Sequence, residues 1–285
     1  MKRLLSALAL AGSLAIAVAP AAFAQTHETE HPPRLKWSFA GPFGKYDQAQ
    51  LQRGFKIYKE VCSNCHSLDL LSYRNLADPT GPDYSMEQVT AMAAEAKIGD
   101  IDDQGSPVTR PGRPADHFPA PFPNETAARA ANGGAAPPDM SVLAKARTYE
   151  RGFPWFIFDI FTQYQEQGPD YIAAILKGYE DEPKGFQLPE GSYYNKYFPN
   201  GAIKMPAPLT DGQVTYEDGS PQTLEQYSKD IATFLMWAAE PTLVARKRLG
   251  FQVIIFLIVL SSMLYFTKKK VWAGVHGHQG GTSRS

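Results

Sequence analysis

Only two cysteines occur among the 285 residues, and both lie in one hexapeptide, Val61-Cys62-Ser63-Asn64-Cys65-His66. No thiol is left over for a disulfide framework or for a second cysteine site. The chain also lacks an internal repeat, a glycine loop of the nucleotide-binding kind and any feature that points to nucleic acid. After Glu240 there is no acidic residue at all.

The hexapeptide contains C-x-x-C-H, the spacing of c-type haem attachment. Two thiols three positions apart can each form a thioether to a porphyrin vinyl group. The adjacent imidazole then lies under the iron as proximal ligand. Two other readings compete. A zinc site needs two further ligands near by, and none are present. A thioredoxin-like redox pair needs a strand ahead of it, whereas here a helical pattern leads in. Cys62, Cys65 and His66 are therefore expected to hold one covalent haem c.

Lys2 and Arg3 precede an apolar run from Leu4 to Ala19, and Ala22-Phe23-Ala24 supplies small residues for cleavage. Residues 1–24 are expected to form a signal peptide, with export of a chain starting at Gln25. Without the seven bases after Glu240 and without Lys2 and Arg3, 19 of the 28 bases face 29 acids on residues 25–240, a formal charge of −10. The near-neutral total hides an acidic head and a basic tail. From Leu249 to Phe266 the only ionisable side chain is the phenol of Tyr265. Eighteen helical residues span roughly 27 Å, close to the hydrocarbon thickness of a bilayer. Basic triplets flank the run, with Tyr265 and Trp272 at interfacial positions. The expected organisation is an exported domain over 25–240, a membrane anchor with its flanks over 241–267, and a cytoplasmic tail over 268–285.

Within the head, Asp47-x-x-Gln50 has the form of a helix cap, and Leu51, Phe55, Tyr58 and Val61 follow at helical spacing. A helix should deliver Cys62 to the haem edge. Further helices are expected over Ser85–Lys97, Met140–Tyr149 and Pro169–Tyr179. A last soluble helix is expected to have Pro221 at its first position, Ser220 as its cap and Pro241 as its stop. Asp100 to Asn124, rich in Pro, Gly and Asp, reads as loop.

The sixth iron ligand has to be found among six histidines and seven methionines. His27 and His31 lie near the processed terminus, and His276 and His278 lie beyond the apolar run. His117 is the histidine candidate. Met1 would be cleaved off with the signal peptide, Met86, Met92 and Met236 fall in helical patterns, and Met263 falls in the apolar run. Met140, after the Pro137-Pro138-Asp139 turn, is one methionine candidate. Met205 is the better placed, because Lys204-Met205-Pro206-Ala207-Pro208-Leu209 is a stiff, non-helical loop shortly before the last soluble helix.

At this point the chain resembles the cytochrome c1 family, the membrane-anchored haem subunit of the cytochrome bc1 complex, in its bacterial form. The resemblance rests on Arg53-Gly54-Phe55, the haem motif, Ala128-Arg129-Ala130-Ala131-Asn132-Gly133, Pro137-Pro138-Asp139, Tyr193-Tyr194-Asn195 and the Met205 loop. Its most specific part is Phe234-Leu235-Met236-Trp237-Ala238-Ala239-Glu240-Pro241 followed by Arg246-Lys247-Arg248. It implies a mainly α fold, a cytochrome c-like haem domain with enlarged loops plus one C-terminal transmembrane helix. It implies Cys62 and Cys65 as thioethers, His66 and Met205 as axial ligands, and Arg129 near a haem propionate. It also implies a place in a bacterial inner membrane with the haem domain in the periplasm. The partners it implies are cytochrome b, a Rieske iron-sulfur protein as electron donor and a soluble cytochrome c as acceptor. The whole complex would be the enzyme. A cytochrome subunit of another membrane oxidase or dehydrogenase is the alternative. Ala207 stands where the family commonly has proline, the extra cysteine pair of some bacterial members is missing, and residues 153–167 form an insertion.

Overall fold

The computed structural model describes residues 29–149, 152–162, 164 and 166–277. The expected signal peptide and the end of the tail lie outside them. Helix α1 (Gln48–Glu60) starts where the cap pattern predicts: the Asp47 carboxylate accepts from the Gln50 N–H at 3.0 Å. Leu51, Phe55 and Tyr58 are buried along one face. The helix stops at Val61, and a 3-10 turn, Cys62–Asn64, carries the haem motif.

The centre of the head is α7 (Leu224–Ala239), every residue of which from Asp230 to Ala238 is buried. Helices α1 and α6 (Gln167–Lys177) pack along it. Burying a Leu, Ile or Phe side chain contributes roughly 1.5–3 kcal/mol, so Ile231, Phe234, Leu235 and Trp237 fix this crossing. Gly54 makes it close: a Cβ there would lie 2.3 Å from the Asp230 carbonyl oxygen and 2.6 Å from Phe234 Cβ. Beside it Arg53 donates to the buried Asp230 carboxylate at 2.8 Å, which also accepts from the Tyr216 hydroxyl at 2.9 Å. A buried charge is tolerated because it is paired and hydrogen-bonded.

The start of α7 differs from expectation. Thr223, not Ser220, is the cap, accepting from Gln226 N–H at 3.3 Å, while Asp211 accepts from Leu224 N–H at 2.6 Å. Ser220 is taken by Asp218 instead, with its hydroxyl donating at 2.9 Å. Pro221 therefore stays outside the helix.

The second helix, α2 (Met86–Ala94), is shorter than expected, because the chain turns at Glu95 and enters a hairpin. Strands β1 (Lys97–Ile101) and β2 (Pro107–Pro111) pair antiparallel, Lys97 opposite Pro111 and Ile101 opposite Pro107. This corrects the loop reading of Asp100–Asn124. The turn is set by Asp102, whose carboxylate accepts from Gln104 and Ser106 N–H groups, and by Gly105 at φ +81°. Both prolines sit at strand ends in a two-stranded edge, where a missing N–H is tolerated. Nearly every residue of both strands is exposed, so no alternating pattern marks them in sequence.

Three short helices come next: α3 (Glu125–Ala131), α4 (Leu143–Ala146) and α5 (Trp155–Thr162). The stretch Met140–Tyr149, expected to be helical, is so only over the four residues of α4. The two-residue strands β3 (Tyr193–Tyr194) and β4 (Ala202–Ile203) pair antiparallel.

Pro241 separates α7 from α8 (Leu243–Gly277), 35 residues long, and none of its most apolar stretch is buried against the rest of the chain. A helix apolar on all sides and uncovered is a membrane anchor rather than a core helix. Its joint with the head is tied by Glu240, whose carboxylate accepts from Lys145 and Arg246, each at 2.7 Å. Tyr46 braces the same corner, donating to the Met236 and Glu240 carbonyls.

Candidate functional site

The Cys62–Asn64 turn leaves Cys62 buried, Cys65 exposed and neither in a disulfide. His66 N–H closes the turn onto the Cys62 carbonyl at 2.9 Å. Burial and the neighbouring Cys65 thiol push the Cys62 thiol up to about 12.

His66 is nine-tenths buried, and its Nδ1 lies 2.8 Å from the Pro138 carbonyl oxygen. A carbonyl only accepts, so Nδ1 carries the proton and Nε2 keeps its lone pair on the opposite side of the ring. Burial lowers the imidazole below its ordinary value, against the raising influence of Pro138 and Asp139. A neutral ring with a fixed tautomer is what iron ligation requires.

The segment behind His66 is held at several atoms. Asp139 accepts from the Ser67 hydroxyl and the Asp69 N–H, both at 2.8 Å, and from Ser141 N–H at 2.9 Å. Met140 N–H donates to the Ser67 carbonyl, and Leu70 N–H to the Ser141 hydroxyl. Sequence reasoning singled out Pro137-Pro138-Asp139 as a turn and a family mark but missed this role. Its available signal was a proline pair followed by an acceptor, a rigid carbonyl beside an Asx turn.

Met205 follows β4 after one residue, Lys204, and is half-buried. Its carbonyl accepts from the Tyr179 hydroxyl at 3.0 Å, and Lys204 donates to the Glu190 carbonyl. Asn195, fully buried, donates to the Ile175 carbonyl at 2.7 Å and so ties β3 and β4 to α6. Leu209 is buried at the far end of the loop. Met140 is buried in the segment behind His66, while His117 is exposed beside the buried Phe118. Arg129, exposed on α3, donates to Glu125 and to the Gly134 carbonyl.

A cavity of about 340 Å³ borders Tyr58, Ser63, Tyr73 and Phe118, but none of Cys62, Cys65, His66 or Met205 lines it. The expected haem ligands therefore lie outside that void. Two unpaired thiols on one turn and a neutral, oriented imidazole next to them fit a c-type haem.

Residues 37–275 match the model of the Cytochrome C1 family. The chain belongs to the cytochrome c1 family. It is 66% identical over 250 residues to "Cytochrome b/c1" of Bradyrhizobium diazoefficiens, which covers 87% of the chain but only 36% of that longer relative. It is 50% identical over 275 residues to cytochrome c1 of Blastochloris viridis, 96% of each chain. With the mitochondrial cytochrome c1 haem protein of Saccharomyces cerevisiae it shares 45% over 247 residues, 86% of the chain and 73% of the relative. As a cytochrome c1 the chain carries covalently bound haem c.

Proposed function

We propose that this cytochrome c1 is the electron-carrying subunit of a bacterial quinol–cytochrome c oxidoreductase, the bc1 complex. In this reading Cys62 and Cys65 would hold the haem as thioethers, and His66 and Met205 would supply its iron ligands. The observation that supports it is the His66–Pro138 hydrogen bond, which leaves the Nε2 lone pair available for coordination near two thiols that form no disulfide.

Haem, when bound, supplies a one-electron couple, and methionine ligation favours a high potential. The protein's own part is to hold the ligands still and keep water from the His66 side. Met140 is buried and fastened through its N–H to the carbonyl of Ser67, the residue after His66, so it belongs to the segment that would hold the imidazole, and this favours Met205 as the sixth ligand. Arg129 would share its guanidinium between Glu125 and a propionate. The electron would arrive from a Rieske iron-sulfur protein and leave to a soluble cytochrome c, with cytochrome b as the membrane neighbour of α8. The head would face the periplasm and the tail the cytoplasm. The formal −10 on residues 25–240 suits a basic acceptor.

The test is purification from membranes in mild detergent. Co-purification with b-type haem and an iron-sulfur protein, with the chain staining for haem after denaturation, is the expected result. Co-purification with an oxidase or dehydrogenase lacking b-type haem would select the alternative. Electron transfer to a basic cytochrome c should slow steeply as salt rises, and a rate indifferent to salt would remove the electrostatic choice of acceptor.

A further inference from the structure

A cleft of about 980 Å³ opens where the head meets α8. Phe43 and Lys45 form one wall, Thr80 the back, and Lys247, Arg248 and Phe251 the other wall. No acidic residue lines it. Phe43 and Phe251 meet edge to face, 5.4 Å between ring centres, yet remain 71% and 49% exposed. Two large rings left open beside three bases are unusual on a solvated surface.

The three bases are not equivalent. Lys247 donates to the Phe39 carbonyl at 2.5 Å, and Glu166 and Glu240 are near enough to act on its charge. Its ammonium is thus bonded back to the head. Lys45 and Arg248 are exposed, and among the described residues neither makes an ion pair. Their charge is uncompensated at one defined height, because the apolar run of α8 begins at Leu249, the residue after Arg248. That height is the phosphate level of the leaflet on the head's side.

We infer that this cleft binds one anionic phospholipid, its phosphodiester between Lys45 and Arg248 and an acyl chain against Phe43 and Phe251. The inference rests on the reading that α8 crosses a membrane. Charge complementarity selects the headgroup, since a zwitterionic lipid would bring its own cation toward Lys247. The exposed rings select a lipid over free phosphate, which has nothing to cover them.

The test uses the full-length holo-protein with Lys268, Lys269 and Lys270 changed to Gln, so that tail lysines do not contribute, stripped of lipid in detergent. It is titrated with phosphatidylglycerol, phosphatidylcholine or inorganic phosphate and read by native mass spectrometry. One phosphatidylglycerol should bind per chain. The pair Lys45→Gln and Arg248→Gln should weaken it roughly tenfold to thirtyfold at unchanged haem content. Phosphatidylcholine should bind weakly with or without the pair. Unchanged phosphatidylglycerol affinity in the double variant, equal binding of phosphatidylcholine, or displacement by inorganic phosphate at matching concentration would each overturn the site. Loss of a protein subunit from the intact complex of the double variant, with no lipid released, would assign the cleft to that subunit. The anchor reading fails separately, if carbonate alone extracts the protein from membranes.

Discussion

In the proposed haem seat, hydrogen bonds fix the His66 side atom by atom, whereas the Met205 side chain is held through its neighbours. On the first side the imidazole itself is bonded, and Ser67, Asp69 and Leu70 are bonded to Asp139 and Ser141 behind it. On the second, Met205 contributes its carbonyl to Tyr179 and leaves its side chain to packing, with Pro206 and Pro208 stiffening the chain up to Leu209. A nitrogen ligand has a tautomer to set, and a thioether has none. In the proposed ligation the difference in construction would follow from the chemistry of the two donors.

The largest way to break the comparison is to remove the attachment itself. Replacing both Cys62 and Cys65 with Ser should abolish haem retention in acid–acetone extraction, and His66→Ala should leave any attached haem high-spin. Retained extraction-resistant haem in the double serine variant would contradict the assignment of both sides at once.

Next comes Met205→Leu. Covalent haem should persist, because the His66 side is built independently, while the midpoint potential falls by a sizeable part of the roughly 0.8 V range that axial ligation spans. Potentiometric titration would show it. An unchanged potential would mean that the sulfur is not on the iron.

A smaller effect is expected from Asp139→Asn, which weakens the hydrogen bonds behind His66 and should cost about 1–2 kcal/mol in thermal or denaturant unfolding. Burial raises the Asp139 carboxyl, but bonds from Asp69, Ser141 and Ser67 hold it below its ordinary value of 3.8. Its stabilising contribution is therefore full above about pH 4 and fades as the pH falls through the lowered folded value. In the Asn variant that part of the acid dependence should vanish. An unfolding profile parallel to wild type below about pH 4 would show that the carboxylate does not contribute.

The smallest is Tyr179→Phe, which removes one tether of the Met205 loop. About 0.5–1.5 kcal/mol of local stability should go, seen as faster displacement of the methionine by added imidazole. No change in that rate would locate the loop's rigidity in its prolines alone.

Much of the His66 side could be read in the chain because covalent chemistry ties residue type to spacing. C-x-x-C-H needs its residues where they are, and Asp47 caps α1 because a carboxylate three residues ahead of a free N–H has few other uses. The Pro138 carbonyl could not be read, since every residue has one and only the fold decides which faces His66. The β1–β2 hairpin was hidden for the opposite reason: nearly exposed on both faces, it needs no hydrophobic alternation. Pro221 misled because Thr223, two residues on, caps equally well and has Asp211 beside it to receive the next N–H.

The central claim is that His66 and Met205 bind one covalent haem iron from opposite faces. The most direct measurement is the long-wavelength sulfur-to-iron charge-transfer band of the ferric holo-protein, recorded for wild type, Met205→Leu and Met140→Leu. The account predicts that the band is present in wild type and in Met140→Leu and absent in Met205→Leu, with the haem still covalent in all three. A band that survives in Met205→Leu and disappears in Met140→Leu would contradict it.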